Sequence, residues 1–238
     1  SDLWAFHYLG TYQTEEEAAK APNDPNAQGR KKHAGDAIFE DVNNDGQLDS
    51  KDMKFMGYIR PDKVGGIVNS FKYKGLTVRV VMDWAMGHVI DNGFKGQIMG
   101  SSRNNNNAIK DAMTNSWQSA NDGTKYPKYT VQSDYDYQYR NHMRWDNQIG
   151  SSESGSTNNS LYFSKGDYLA FREVSLSYML PSTWVRKIRL SGVEVFAGAY
   201  NIGYIKKYDG MFPEIYTGVD YGVYPRPRQY NMGVKINF

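Results

Sequence analysis

The last nine residues of the chain, YNMGVKINF (230–238), alternate strictly between apolar and polar side chains. Because successive side chains of a β-strand point to opposite faces, this alternation places Tyr230, Met232, Val234, Ile236 and Phe238 on one face. The other face carries asparagine, glycine and lysine. A strand with one apolar face and one polar face is typical of a transmembrane β-barrel, in which one face meets lipid and the other a polar lumen.

The rest of the chain predicts further strands of the same kind. Residues 76–87 place six large apolar side chains on one face, and Lys74-Gly75 predicts a tight turn just before them. The predicted strands are 3–12, 65–73, 76–87, 161–180, 192–204 and 230–238. About six strands are too few to close a barrel of the usual eight or more. We therefore expect the chain to be the C-terminal part of a larger barrel.

Two details within these strands predict specific structure. In 161–180 the apolar residues change parity near Arg172 and Glu173, which predicts a β-bulge. Arg79 and Asp83 lie four residues apart on the polar face of 76–87, and we expect them to pair there.

The connections between the predicted strands alternate between long and short. The long ones are 13–64 and 91–160, the short ones lie at 74–75 and 181–191, and 205–226 is intermediate. All of the long connections fall at the same edge of the sheet. Outer-membrane barrels have this asymmetry, with long extracellular loops and short periplasmic turns. The pattern therefore predicts that Phe238 lies at the periplasmic end.

Composition excludes several other classes of protein. The net charge is only +2, from 28 basic and 26 acidic residues, so no strong field favours nucleic acid. The absence of cysteine excludes disulfides and thiolate metal sites. The mean hydropathy of −0.70 is compatible with a barrel, because only alternate strand residues meet lipid. The 19 tyrosines, five tryptophans and ten phenylalanines fit either a membrane interface or a sugar-binding surface.

A carboxylate-rich loop at 41–52 has the spacing of a calcium site. Oxygen-bearing side chains stand at relative positions 1, 3, 5, 9 and 12, and glycine stands at position 6. We expect this loop to be an extracellular insertion over 35–56 and to bind calcium through Asp41, Asn43, Asp45, Asp52 and the backbone carbonyl of Gln47. The alternative is an Asn/Asp/Gly turn that binds no metal. Residues 36–40 read as extended, so a helix-loop-helix sensor is not expected.

Several segments, in this order, resemble the late barrel of the SusC/RagA family of TonB-linked outer-membrane receptors. They are Gly35-Asp36, DVNNDG (41–46), FKYKGL (71–76), GDYLAFREVSLSY (166–178), YDGMFPE (208–214) and GVDYGVYP (218–225). The chain is also similar to the family in its asparagine at 201 and in its C-terminal aromatic residue. The resemblance extends from about Gly35 to the end of the chain.

This resemblance implies an all-β fold, a transmembrane antiparallel barrel of 22 strands, of which residues 1–238 supply the C-terminal part. It also implies an N-terminal plug, energy from TonB, a SusD-like surface lipoprotein as partner, and a place in the outer membrane of a Gram-negative bacterium. The cargo implied is most often an oligosaccharide and less often a peptide. The plug and the TonB-contacting segment are expected upstream of these residues.

Ligand-binding residues are harder to predict. Trp117, Trp145 and Tyr162 lie in or beside the long 91–160 loop, where aromatic rings stack on sugars or simply pack against the loop. The four histidines are scattered and no nucleophile motif is present, so we do not expect an enzyme. Three alternatives remain for the function: an oligopeptide importer of the same family, a calcium-stabilised sugar-binding β domain, or a surface adhesin on a smaller barrel.

Overall fold

The computed structural model describes residues 2–99, 110–130, 134–141 and 159–238. The fold is mostly β, as the sequence predicts. The strands of the described residues are, in chain order, β1 (Asp2–Phe6), β2 (Tyr8–Thr11), β3 (Ala37–Phe39), β4 (Met53–Tyr58), β5 (Lys63–Tyr73), β6 (Leu76–Met86), β7 (Val89–Asp91), β8 (Phe163–Lys165), β9 (Tyr168–Met179), β10 (Gly192–Lys206) and β11 (Gln229–Asn237).

The helices are short. They are α1 (Glu15–Ala18), α2 (Gly93–Met99), α3 (Lys110–Thr114), α4 (Tyr135–Arg140) and α5 (Ser182–Val185), together with 3-10 turns at Pro25–Ala27, Ser50–Asp52, Ser160–Tyr162 and Arg186–Ile188. In the part of the chain that the structure describes, no helix has the length and apolar character needed to cross a membrane.

The chain forms two compact units. Unit 1 comprises Ser1–Arg60, Val89–Lys165 and Ile215–Val223, and unit 2 comprises Pro61–His88, Gly166–Glu214 and Tyr224–Phe238. Unit 1 therefore takes in most of the two long connections, and unit 2 contains the long strands.

Unit 2 is built on one five-stranded antiparallel sheet with the order β11-β10-β9-β6-β5. The tight turn predicted at Lys74-Gly75 is confirmed, because Tyr73 pairs with Leu76 across it. Lys74 and Gly75 both have positive φ, 45° and 86°, as a two-residue hairpin turn requires.

The bulge predicted near Arg172 is confirmed. Val81 pairs with Glu173 and Met82 with Phe171, so Arg172 is left without a partner on β6. The extra residue reverses the parity of β9, and this reversal returns Phe171 to the same face as Met82. Without the bulge, the apolar residues on the two sides of Arg172 would face in opposite directions.

The pattern of β10 is interrupted at the same level. Its register shifts between Tyr200 and Gly203. Asn201 lies at this shift with a φ of 50°, and its Nδ2 donates to the carbonyl of Pro227 at 3.3 Å. Asparagine tolerates this left-handed conformation better than most residues, which gives a physical reason for asparagine at position 201.

The described residues of unit 1 form three two-stranded sheets, β1–β4, β2–β3 and β7–β8. One hydrophobic cluster joins Phe6, Ala37, Phe39 and Leu48. A second cluster joins Met99, Ala112, Tyr126 and Tyr162.

The prediction of a single strand over 3–12, as a sixth strand of the sheet, does not match the structure. This stretch forms β1 and β2, which pair with β4 and β3 outside the five-stranded sheet. The consecutive residues Ala5 and Phe6 are 0% and 2% exposed. A strand buried on both faces at this point does not fit the half-exposed pattern of the long strands, which explains the weak alternation of its sequence.

Candidate functional site

One face of the unit 2 sheet is apolar across all five strands. Directly paired residues share a face, and one such row runs Phe71–Val78–Leu176–Ala197–Met232. A neighbouring row runs Tyr73–Leu76–Tyr178–Val195–Val234. The side chains at the two edges are the most open: Phe71 is 58% exposed and Met232 is 87% exposed. Contiguous exposed apolar surface of this kind marks contact with an apolar environment or partner.

The opposite face of the same sheet is mainly polar. One row runs Ser70–Arg79–Ser175–Gly198–Asn231. The alternation of apolar and polar residues in the sequence therefore extends across the whole sheet, which has one apolar face and one mainly polar face.

The pair expected between Arg79 and Asp83 does not form. The Arg79 Nε lies 3.4 Å from Glu173 Oε2, and Asp83 pairs with Arg172. Four residues along a strand span about 13 Å, whereas cross-strand neighbours lie about 5 Å apart. Both side chains therefore find their partners on β9 and not on their own strand.

An ionic cluster built around one buried carboxylate lies at the bulge, and we call it the Arg172 cluster. Arg172 donates through Nη2 to Asp83 Oδ1 at 2.7 Å, and its Nη1 lies 2.5 Å from Glu214 Oε1. Glu214 also accepts from the hydroxyl of Tyr204 at 2.7 Å and lies 3.2 Å from Arg226 Nη2. The Glu214 side chain is only 2% exposed, so this carboxylate depends on these partners for its charge.

The Arg172 cluster ties a loop to the sheet. At the bulge, Arg172 has no paired residue on β6. The Arg172 side chain links two of the segments that carry the family resemblance, 166–178 and 208–214. Sequence reasoning identified the bulge but not Glu214 as its partner, because the two residues are far apart in the chain. A lone acidic residue after Phe212-Pro213 gives no signal of burial.

Asp36 is the centre of a second buried polar cluster, in unit 1. Its Oδ2 accepts from Arg140 Nε at 2.7 Å and from the backbone N–H of His33 at 2.8 Å. Its Oδ1 accepts from Asn141 Nδ2 at 2.9 Å, and Asn141 Oδ1 accepts from the backbone N–H of Ala37. Asp36 is 2% exposed and Asn141 is 0% exposed. The cluster therefore joins the Gly35-Asp36 segment to the end of α4.

Gly35 is needed for two physical reasons. Its φ is +86°, a backbone conformation that is unfavourable for residues with a Cβ atom. A Cβ at this position would also lie 2.5 Å from Cε3 of Trp117. The Trp117 indole therefore packs directly onto the glycine backbone.

Replacing Gly35 by alanine tests this packing. We expect Gly35→Ala to lower the free energy of unfolding by roughly 1–3 kcal/mol more than Gly29→Ala, because overpacking adds to the backbone strain. Gly29 is the matched control, since its φ is +79° and nothing lies within 4 Å of its Cβ position. Chemical denaturation of both purified variants measures the difference, and equal losses would contradict the close contact with Trp117.

The predicted ligand-binding aromatics lie in different environments. Trp117 is half-buried against Gly35. Tyr162 is 3% exposed and its ring stacks on Tyr126 at 6.4 Å between centroids. Burial raises the pKa of the Tyr162 hydroxyl well above its usual range. Trp145 lies outside the described residues. A role of these three in cargo binding stays a prediction.

The predicted calcium loop adopts a compact, self-bonded turn. Asp41 Oδ2 accepts from the N–H of Gly46 at 2.9 Å, Asn43 Oδ1 from Asp45 at 3.0 Å, and Asp45 Oδ1 from Gln47 at 2.9 Å. Gly46 has the positive φ, 77°, that the sharp turn needs. The preceding Ala37–Phe39 segment is a strand, as predicted.

The fit of this loop to a cation is partial. Asp41 Oδ1 is buried and has no hydrogen-bond partner among the described residues, so one oxygen is available. Asp52, by contrast, uses both oxygens on backbone N–H groups, those of Val42 at 2.9 Å and Asp49 at 2.8 Å. Within the ranges that the structure describes, no three His, Cys, Asp or Glu side chains are grouped to hold a metal. The oxygen-rich donor set suits calcium, and each Asp52 oxygen keeps a second acceptor site, but the Asp52 side chain is fully buried.

Lys32 is a buried amine in unit 1. The residue is 8% exposed, its Nζ donates to the carbonyl of Arg140, and it lies 5.1 Å from the ring centroid of Phe39. Burial lowers the pKa of Lys32 to about 8, against the opposing effect of the nearby carboxylates of Asp24 and Asp36.

This burial predicts a pH dependence of stability. Above about pH 8 the folded protein loses the Lys32 proton, whereas the unfolded chain keeps it up to a pKa of 10.5. The unfolded state then binds more protons, so the Lys32 contribution to the free energy of unfolding rises with pH across that window. We expect the stability difference between wild type and Lys32→Met to shift in favour of wild type between pH 7.5 and 9.5. The exposed neighbour Lys31, changed to Met, is the control and should give a flat difference; a flat difference for Lys32→Met would count against burial of the amine.

Comparison with known proteins places these features in context. No protein-family model matches the chain. It is 24% identical over 248 aligned positions to TonB-dependent receptor P3 of Formosa agariphila, which covers 99% of this chain and 22% of that receptor. TonB-dependent receptor SusC of Bacteroides thetaiotaomicron is 26% identical over 91 residues, covering 38% of this chain and 9% of that receptor.

Solved structures show the same fold. The structure of the RagAB peptide transporter matches with a TM-score of 0.68 and 18% identity, over 100% of this chain and 23% of that one. The RagAB peptide importer in its open-open state matches with a TM-score of 0.65 and 18% identity, over 99% of this chain and 22% of that one. Two of the curated receptors match nearly the whole of this chain. The chain spans only about a fifth of their length, 22% in each case.

Proposed function

We propose, from the confirmed resemblance of this chain to SusC/RagA-type TonB-dependent receptors, that it forms the C-terminal part of an outer-membrane nutrient transporter. Unit 2 supplies part of the wall of a transmembrane barrel of 22 strands, a size known for plugged outer-membrane transporters. The long connections, including the insertion at 35–56, lie on the extracellular side, and Phe238 lies at the periplasmic end. A plug and the segment that contacts TonB belong to the part of the protein upstream of these residues.

The observation that carries this proposal is the two-faced sheet of unit 2. Its apolar face includes exposed Phe71, Leu176 and Met232, and its polar face includes Arg79 and Ser175. A barrel wall needs lipid on one side and a polar lumen on the other. Among the described strands, the edge strands β5 and β11 each pair with one neighbour, which leaves their outer edges for further strands.

The cargo is an oligosaccharide in our proposal, taken up together with a SusD-like surface lipoprotein. The support is the resemblance to the SusC/RagA family, which implies an oligosaccharide more often than a peptide, together with the sequence similarity to a receptor named SusC. The alternative is an oligopeptide, and its support is the fold shared with a protein described as a peptide transporter. The relatives are receptors and transporters, which supports transport and not catalysis.

Growth of a deletion strain tests the cargo. The strain lacking the gene that encodes this chain should fail to grow on an oligosaccharide as sole carbon source and should still take up peptides. Complementation with the wild-type gene is the control. Loss of peptide uptake with normal growth on oligosaccharides would establish the alternative. The third possibility, a calcium-stabilised sugar-binding β domain, requires that the chain alone stay folded and monomeric in water without detergent.

We also propose that the 41–52 loop binds calcium and holds an extracellular loop in shape. Asp41, Asn43 and Asp45 would supply side-chain oxygens, Gln47 a backbone carbonyl, and Asp52 a carboxylate through the lone pairs that its backbone contacts leave free. The support is the oxygen spacing and the buried free oxygen of Asp41.

Thermal unfolding with and without calcium tests this site. Calcium at about 100 times its Kd should add about 2.7 kcal/mol to the stability of the wild type and nothing to that of Asp45→Ala. Asp122→Ala is the control, because Asp122 also accepts backbone N–H bonds in a turn, from Gln118 at 2.7 Å and Thr124 at 3.0 Å. An equal response of Asp45→Ala and wild type to calcium would overturn the proposal.

A further inference from the structure

The apolar face of unit 2 contains a groove that runs along β10. Its volume is about 420 Å³. Ala197 and Ala199 form its floor, and the apolar residues on either side form its walls: Val174 and Leu176 on β9, and Tyr230 and Met232 on β11. The two walls stand two strand spacings apart, about 10 Å, because neighbouring strands are about 4.8 Å apart. A groove of this width between apolar walls accommodates one extended hydrocarbon chain.

A cation lies at the loop end of the groove. Gly203 pairs with Phe171, which pairs with Met82, so a Cβ on Gly203 would point to the apolar face. The Nη2 of Arg228 lies 3.7 Å from that Cβ position, so the guanidinium lies over this face. The neighbouring Arg226 pairs with Glu214 at 3.2 Å. Arg228, by contrast, makes no ion pair or hydrogen bond within the described ranges.

The charge on the rest of the apolar face has the same sign. The strand residues that share this face include no aspartate or glutamate, and the charged one is Lys63. Lys63 pairs with Met86, at the same loop end of the sheet as Arg228. An uncompensated cation at the end of an apolar groove is complementary to an amphiphile with an anionic headgroup.

We propose that this groove binds an anionic lipid of the outer membrane. One acyl chain lies over Ala197 and Ala199 between the two walls, and the headgroup phosphate pairs with Arg228. The inference rests on the proposed function, because it requires that the apolar face lie in the membrane.

Lipid retention by the purified full-length receptor tests the proposal. The receptor is extracted in mild detergent, offered phosphatidylglycerol or phosphatidylethanolamine with identical acyl chains, and examined by native mass spectrometry. Wild type should retain phosphatidylglycerol in preference. Arg228→Gln should weaken phosphatidylglycerol retention about fivefold, the effect of one basic residue near an anionic surface, and leave phosphatidylethanolamine unchanged.

A second variant tests the groove itself. Ala199→Leu should fill the floor and weaken retention of both lipids about tenfold, equivalent to about two fewer buried methylene groups. Two controls carry similar changes outside the groove: Val193→Leu on the same face of β10, and Lys63→Gln at the same end of the sheet. Both should retain lipid as the wild type does, and inorganic phosphate should not displace phosphatidylglycerol.

The outcomes separate this inference from the proposed function. Retention by Arg228→Gln and Ala199→Leu equal to that of the controls, or no preference in the wild type, would overturn the lipid site while leaving the barrel intact. Displacement by inorganic phosphate would show a free-anion site instead. Recovery of the wild-type receptor from the soluble fraction without detergent would overturn the proposed function itself.

Discussion

Replacing Arg172 by alanine is expected to lower the free energy of unfolding by about 3 kcal/mol, the usual cost of breaking a buried ion pair from one side. The variant leaves the carboxylate of Glu214, 2% exposed, with Tyr204 and the half-exposed Arg226 as its remaining partners. It also leaves Asp83 without its bidentate partner. Denaturant unfolding of the protein in detergent micelles measures this loss.

Arg79→Ala is the matched control for this prediction. Arg79 is also an arginine on the polar face that pairs with a glutamate, but its side chain is 45% exposed and its Nε–Oε2 distance is 3.4 Å. Exposed pairs of this kind contribute less than about 1 kcal/mol. The double variant Arg172→Ala/Glu214→Gln should recover part of the loss, because it no longer buries a carboxylate that has lost its strongest cationic partner. Equal losses for Arg172→Ala and Arg79→Ala would show that the Arg172 cluster does not hold the loop to the sheet.

Placing a charge on the apolar face is expected to cost nearly as much. Leu176→Arg should lower the free energy of unfolding from lipid vesicles by about 2–4 kcal/mol, because the guanidinium would lie in hydrocarbon. Ser177→Arg is the control, since Ser177 is the next residue on β9 and lies on the opposite, mainly polar face, in the row Lys72–Thr77–Ser177–Phe196–Gly233. Its cost should stay within about 0.5 kcal/mol, as for other substitutions on a polar surface.

The comparison of these two variants is informative because they differ by one position. If the sheet belonged to a soluble sandwich with the apolar face in its core, Leu176→Arg would also be destabilising. In that case, however, the folded wild-type protein would be found in water and not in the vesicles. A Leu176→Arg cost no greater than that of Ser177→Arg would contradict the assignment of the apolar face to lipid.

The features predicted from sequence are those that depend on local periodicity. The two-residue turn at Lys74-Gly75 follows from a short glycine-containing break between two alternating segments, and the structure confirms it. The bulge at Arg172 follows from the change of parity along one strand. The mostly β fold follows from the same patterns, whereas the family resemblance rests on specific motifs such as 166–178 and 208–214.

The features that sequence did not predict depend on contacts between distant segments. Asn141 and Asp36 are 105 residues apart, and nothing in the sequence near either one signals the other. Arg79 and Asp83 were expected to pair because they share a face, but sharing a face does not bring strand residues within reach when four residues separate them. The stretch 3–12 is predicted as a strand of the sheet despite its poor alternation, and that poor alternation is explained by the burial of both Ala5 and Phe6 outside the sheet.

Accessibility along β9 tests the central claim, that unit 2 is a barrel wall between lipid and a polar lumen. These 238 residues contain no cysteine, so each single cysteine introduced from 169 to 178, in a receptor freed of any other cysteine, can carry a nitroxide label. In vesicles, the relaxation of each label is measured once with molecular oxygen, which concentrates in lipid, and once with a water-soluble nickel complex. We predict high oxygen accessibility at Leu169, Phe171, Val174, Leu176 and Tyr178, with the phase changing at Arg172, and a lower ratio of oxygen to nickel accessibility at Ser175 and Ser177. Uniform nickel accessibility on both faces, or alternation without the phase change, would contradict this account.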